Sequence, residues 1–247
     1  MQDNTWTNRL LFLLIVLVSV SIGLQLAVLY RAFPLSRSVK LETVSRRASP
    51  SQQPNSHNSL IGKALDLTGL PIEGTVTARV GMIEFTDYEC PFCAQHARTV
   101  LLTLREEFVK QGKVRYAISN FPLSNHSNAK QLAISAICAG QQNQYWAMHD
   151  ELFRALPKTT DSVLALAQGL NLKTDSFLSC LSDRRVSEEL DGTLQHAQGI
   201  GVEGTPTFVI GPVIEKERIR VNSVIVGAQP IAVFEAAINE EISKLGQ

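Results

Sequence analysis

The chain has 247 residues, with 23 Lys and Arg against 23 Asp and Glu, so its formal net charge is zero and nothing in it points to nucleic acid. The charge is unevenly spread: residues 1–58 hold six basic and two acidic side chains, and residues 59–247 hold 17 and 21. Four cysteines are an even number, compatible with an oxidising compartment.

After a short tail over residues 1–9, Leu10 to Tyr30 runs for 21 residues without a charge, between Arg9 and Arg31. About 20 apolar residues span a bilayer as a helix, so residues 10–30 are expected to be a membrane anchor. A cleaved signal peptide would have a shorter apolar core and a small-x-small site, which Leu26-Ala27-Val28-Leu29-Tyr30 does not offer. The basic residues Arg31, Arg37, Lys40, Arg46 and Arg47 follow the run, and by the positive-inside rule they would hold the large domain in the cytoplasm. Long domains translocate despite such charge, and the redox chemistry below argues for the other side. Residues 31–59 are rich in Ser, Pro, Gln and Asn and read as a flexible tether.

The folded domain is expected over 60–247. Leu60 to Leu67 suggests a short helix, and Val76 to Phe85 a strand. Ala94 to Gln111 lacks Gly and Pro, and Ala97, Val100, Leu101, Leu104 and Phe108 recur at helical spacing. Val114 to Ser119 alternates as a second strand, which makes a βαβ unit with a parallel pair. Residues 126–200 are helical in pattern: 128–140, 144–156, 161–169, 174–182 and 186–199. Asn125 or Ser127, Asp161 and Thr174 are candidate N-caps. Strands at 207–210 and 221–226 precede a closing helix over 230–245 that starts at Pro230.

Between the first strand and its helix lies Cys90-Pro91-Phe92-Cys93. Pro91 suits a first helical turn, where a missing N–H costs nothing. Cys90 then sits at the positive end of the helix, where a thiolate is stabilised, and Cys93 lies about one turn on, within bonding reach. Half of a zinc site is the rival reading. His96 adds a third donor, but Cys138 and Cys180 stand alone, 42 residues apart, so no metal is expected. His96 reads as a solvated helix residue near the site. His126, His149 and His196 have no metal-like spacing, and Trp146, Met148 and Phe153 read as core.

Several segments, in order, resemble the DsbA-like thiol:disulfide oxidoreductases of the thioredoxin superfamily. They are Glu84-Phe85-x-Asp87-Tyr88-x-Cys90-Pro91-Phe92-Cys93; Asn120-Phe121-Pro122-Leu123 with His126 and Ala129; Cys138-Ala139-Gly140 with Trp146, His149-Asp150 and Leu152-Phe153; and Gly204-Thr205-Pro206-Thr207-Phe208. The likeness spans about residues 60–245. It implies an α/β thioredoxin fold with an inserted helical subdomain, here preceded by one transmembrane helix.

The resemblance also implies roles. Cys90 would be the exposed nucleophile and Cys93 the deeper, resolving thiol. Glu84 stands six residues before Cys90, where the superfamily keeps a buried acid able to take the Cys93 proton; otherwise it is a solvated strand glutamate. Thr205-Pro206 would be a cis peptide beside the cysteines; otherwise Pro206 is an ordinary trans turn residue. Cys138 and Cys180 would be a structural disulfide, or else two buried thiols. The implied activity is disulfide formation in exported proteins, without a cofactor. The partners would be reduced exported proteins, a membrane quinone-linked or similar reoxidising partner, and the bilayer through residues 10–30. The catalytic domain would face the periplasm. A reductase or isomerase of the same fold, or an anchored binding module without catalysis, are the other readings.

Overall fold

The computed structural model describes residues 59–154 and 159–246, together with Gln25, which is helical. Apart from that residue, the tail, anchor and tether expected over 1–58 lie outside the described residues. Among the described residues no helix is long and apolar enough to cross a membrane.

The strands are β1 (Ala64–Asp66), β2 (Ile72–Glu73), β3 (Val80–Thr86), β4 (Val114–Asn120), β5 (Thr207–Ile214), β6 (Arg218–Arg220) and β7 (Ser223–Val226). They form one sheet of order β1-β6-β5-β3-β4-β2, with β7 also paired to β5. β3 and β4 are buried along their whole length and run parallel, as the βαβ pattern requires. β5 runs antiparallel to β3 on its other side.

The connection from β3 to β4 carries α1 (Pro91–Arg98) and α2 (Val100–Leu104), which ends in a π-helical turn over Arg105–Val109. The single helix expected over 94–111 is therefore interrupted. Thr99 leaves helical geometry (φ −124°, ψ −66°), and its hydroxyl donates to the Gln95 carbonyl at 2.7 Å. The inserted helices are α3 (Ala129–Gly140), α4 (Tyr145–Arg154), α5 (Thr160–Gly169), α6 (Thr174–Leu181) and α7 (Arg184–Ile200); α8 (Ile231–Leu245) closes the domain. In the structure Cys138 on α3 is bonded to Cys180 on α6.

Period-two alternation divides the core. Val80 and Met82 of β3, Tyr116 and Ile118 of β4, and Phe208 and Ile210 of β5 pack with α1, α3, α4 and α8. Ile83, Phe85, Ala117 and Val209 point to the other face, against Ala197 of α7 and Leu65 of β1. Two facing glycines allow the sheet to fold closely over β6. Gly81 is in register with Gly211. A Cβ on Gly211 would lie 1.7 Å from the Arg220 carbonyl oxygen, and one on Gly81 would lie 2.1 Å from Ile219 Cγ2.

Four expectations are corrected. Residues 64–66 are strand, not helix: Leu65 alone of the three is buried, and the segment pairs with Arg218–Arg220, a strand that local pattern did not mark out. The first long strand begins at Val80, because residues 75–79 pair with no strand, with a turn at Val76-Thr77, and Val76 is 79% exposed. The last strand begins at Ser223 rather than Val221. The caps also differ. Thr159 caps α5 in a capping box with Ser162, Lys173 occupies the N-cap of α6, and Asn128 that of α3.

Candidate active site

The site assembles where β3 ends. Glu84 lies between Met82 and Thr86 on the strand face that meets α1, so alternation alone carries its carboxyl into the apolar core. Asp87 then builds the turn. Its Oδ1 accepts from the Glu89 backbone N–H at 2.7 Å, and its carbonyl accepts from the Cys90 N–H at 3.1 Å. Its Oδ2 accepts from the Leu123 N–H at 2.7 Å and pairs with His126 Nδ1 at 2.9 Å. The Glu89 carboxylate accepts from the Asn128 backbone N–H at 2.6 Å and from its side-chain amide at 2.9 Å. An acid beside the cysteines thus satisfies the start of α3, where Asn128 supplies no side-chain cap.

Cys90 is the N-cap of α1, with Pro91 inside the first turn. The resemblance implies an exposed Cys90, yet it is only 4% exposed, and Cys93 is completely buried. Phe92 between them is 58% exposed. Opposite Cys90 lies the cis Thr205–Pro206 peptide, with Cys90 Sγ 3.4 Å from the Thr205 carbonyl oxygen. Thr205 Oγ1 is buried with no other hydrogen-bond partner among the described residues, which leaves it free to donate to a thiolate at Cys90. Structure therefore brings together Cys90, Cys93, Pro91, Phe92, Glu84, Thr205 and Pro206, and places Cys138 and Cys180 apart in the inserted helices.

The two thiols are driven in opposite directions. The Cys90 pKa is lowered to about 5, chiefly because the Cys93 thiol donates to its sulfur. The Thr205 side chain and the N–H groups of Cys93 and Phe92 add to this against the cost of burial. Burial pushes the Cys93 thiol up, and the neighbouring Cys90 and Glu84 reinforce that shift. Burial also raises Glu84 to about 7, opposed by the Tyr116 hydroxyl, which donates to Glu84 Oε2. A nucleophile ionised at neutral pH, a protonated thiol one turn on and a carboxyl titrating near neutrality are the components of thiol–disulfide exchange.

His96 is not solvated. It is fully buried, with its ring 4.4 Å from that of Phe208 and 5.2 Å from that of Phe234. Burial, with a smaller electrostatic contribution from His149, lowers its pKa to about 3, so the imidazole is neutral. It stands three positions after Cys93, so both share the inward face of α1, a signal present in the sequence. Tyr116 was equally visible as an inward position alternating with Val114 and Ile118. Asp87, three residues before a helix-starting cysteine, has the sequence signature of an Asx turn. No local signal pairs Glu89 with Asn128, 39 residues away. His149 is buried among Tyr88, Trp146 and Phe153 as a packing residue.

Comparison with known proteins agrees with the fold. The family model described as Thioredoxin matches residues 68–224. The chain is 33% identical over 141 residues to the Na(+)/H(+) antiporter NhaA 3 of Salinispora tropica, a match covering 56% of this chain but only 21% of that protein. It is 22% identical over 167 residues to the disulfide bond formation protein D of Bacillus subtilis, covering 64% of this chain and 75% of the relative. The crystal structure of alpha-DsbA1 from Wolbachia pipientis superposes with a TM-score of 0.66 at 23% identity, over 73% of this chain and 94% of that one. With more than half of its length matched by that family model, the chain belongs to the thioredoxin family, and its helical insertion follows the architecture of alpha-DsbA1.

Proposed function

We propose that this chain is a protein thiol:disulfide oxidoreductase that works as an oxidant, forming disulfides in exported proteins through Cys90 and Cys93. The observation that carries this is the asymmetry of the pair: a stabilised thiolate at Cys90 beside a buried, protonated Cys93 next to Glu84. A substrate thiolate attacks Cys90 of the oxidised pair, the Cys90–Cys93 bond breaks, and Cys93 leaves with the electron pair and takes a proton from Glu84. A second substrate thiolate then attacks the substrate sulfur of the mixed disulfide and releases Cys90 as its thiolate. The substrate dithiol is oxidised by two electrons and the Cys90/Cys93 pair is reduced by two. Stabilising the released thiolate favours this direction. The name of the Bacillus subtilis relative supports the reading.

A strongly oxidising pair is helped by a donor or cation after the proline, and exposed Phe92 supplies neither. Phe92→His should make the reduction potential less negative and lower the Cys90 pKa together. Thiolate absorbance titration and equilibration with glutathione would measure both; opposite movements would refute the thiolate account. The sign with pH follows from the same shift. A thiolate whose folded pKa is depressed to about 5 stabilises the reduced form fully above the unfolded thiol pKa, and that stability is lost as pH falls through about 5.

The uncharged run over residues 10–30 motivates the rest of the proposal: a single-pass anchor, the catalytic domain on the extracytoplasmic side, and a membrane quinone-linked or similar partner that reoxidises the pair. A thiol reagent unable to cross the inner membrane should label reduced Cys90 in cells with only the outer barrier opened. Labelling only after inner-membrane lysis would place the domain in the cytoplasm, as the flanking charges favour.

A further inference from the structure

Glu84 enters the core alone. Its Oε1 has no hydrogen-bond partner among the described residues, and its Oε2 accepts from the Tyr116 hydroxyl. That hydroxyl has a second neighbour, His96 Nε2, at 3.2 Å; His96 Nε2 itself is 3.8 Å from Glu84 Oε2. Because the Tyr116 proton is given to Glu84, the Tyr116 oxygen is left as an acceptor, and the neutral imidazole donates its Nε2 proton to it. His96 Nδ1 is then the bare nitrogen, buried without a hydrogen-bond partner among the described residues and packed between Phe208 and Phe234. All three side chains are fully buried.

We propose that Tyr116, backed by His96, is a positioning residue that holds Glu84 as a carboxylate so that it can accept the Cys93 proton. This deepens the oxidoreductase reading and rests on it. Two donors in series polarise one another, His96 toward Tyr116 and Tyr116 toward Glu84; with a smaller contribution from the Thr86 hydroxyl they oppose the burial that favours the protonated acid. The other titratable or charged groups facing Glu84 do not take this place. Cys90 at the N-cap of α1 and Cys93 within it disfavour its charge, Tyr88 and Tyr145 are neutral phenols, and Arg105 is engaged by Glu73 at 2.6 Å and Asp150 at 2.9 Å. In the proton step, Cys93 S–H gives its proton to Glu84. The Cys93 sulfur forms a bond to Cys90, and the group held on Cys90 leaves as a thiolate. The same step run backwards reprotonates Cys93 when substrate attacks Cys90.

The test uses the full chain in detergent micelles. Dipyridyl disulfide at low pH modifies the Cys90 thiolate and releases one thiopyridone. A pH jump then lets Cys93 displace the second, and its absorbance is followed by stopped flow. The resolution rate in the wild-type chain should rise with a midpoint near the Glu84 value of about 7. Y116F should move that midpoint up by roughly one to two pH units, the worth of a hydrogen bond to a charged acceptor. H96F should move it in the same direction by less, because its donor reaches the carboxylate only through Tyr116. E84Q should lose the inflection. If E84Q keeps the wild-type midpoint, Glu84 is not the proton acceptor, and the inference falls together with that role. If E84Q loses it while Y116F and H96F keep it, Glu84 stands and the inference alone is overturned. A lower melting temperature with an unmoved midpoint in either variant has the same meaning, and H96F decides if Y116F does not fold.

Discussion

Cys90→Ser should abolish disulfide transfer to a reduced, unfolded protein, and Cys93→Ser should instead accumulate mixed disulfides. The difference follows from position. Cys90 caps α1 and has a small exposed edge beside the Thr205 carbonyl, whereas Cys93 is sealed beneath it. Without Cys90 no sulfur is left within an incoming thiolate's reach. Without Cys93 the Cys90 thiolate remains reactive but nothing within the site displaces the bound partner. Non-reducing gels and intact mass would resolve the two. The reduced wild-type chain should also react with iodoacetamide at Cys90 far faster than at Cys93, because one sulfur is a thiolate and the other a buried thiol. Faster labelling of Cys93, or disulfide transfer retained by Cys90→Ser, would mean that the roles are wrongly assigned and would leave the binding-module reading in its place.

Removing the bridge between α3 and α6 should produce the largest loss of stability among the substitutions considered. The two cysteines are 42 residues apart, so the bond constrains a long stretch of the unfolded chain. A loop of that length corresponds to about 3–4 kcal/mol on chain-entropy grounds. The bridge also ties α6 to α3, and α3 is the inserted helix that receives the Glu89 contact beside the active site. The Cys138→Ala, Cys180→Ala double variant should therefore melt roughly 10 °C lower than the parent, with Cys90 reactivity retained in the folded state. Thermal unfolding with and without reductant would measure it. Peptide mapping of the unreduced chain should recover the two cysteines as one linked species; two alkylatable thiols there, with Cys90 and Cys93 still oxidised, would rule the bridge out.

How much of this was legible depends on whether a residue's partners are near in sequence. β3, β4, α1 and the inserted helices were readable because each carries its own period and turn signals. Residues 64–66 were misread because three residues carry no period, and their strand exists only through pairing with residues 218–220, more than 150 positions away. The interruption at Thr99 is hidden in the sequence because threonine is tolerated in helices; the break lies in its backbone, which leaves helical geometry, while its hydroxyl bonds back to Gln95. In the site, the cysteines and Pro206 were found by motif, and Glu84 by its place in an apolar strand. His96 is polar by type, which suggests a solvated residue, but its position on the inward face of α1 decides its burial. Its burial follows from sharing the inward stripe with Cys93. Tyr116 was visible as an inward strand position, but its function depends on meeting Glu84 across 32 residues, which no local pattern encodes.

The central claim is that the Cys90/Cys93 pair is poised to oxidise, and its reduction potential tests this most directly. Equilibration of the full chain with graded ratios of reduced and oxidised glutathione, read by alkylation and mass, gives that value. The stabilised Cys90 thiolate, without a histidine at position 92, predicts a potential between that of DsbA at about −120 mV and that of thioredoxin at about −270 mV, in the less negative half of the range. A value at or below about −270 mV would contradict the oxidant reading and make the chain a reductase on the same fold.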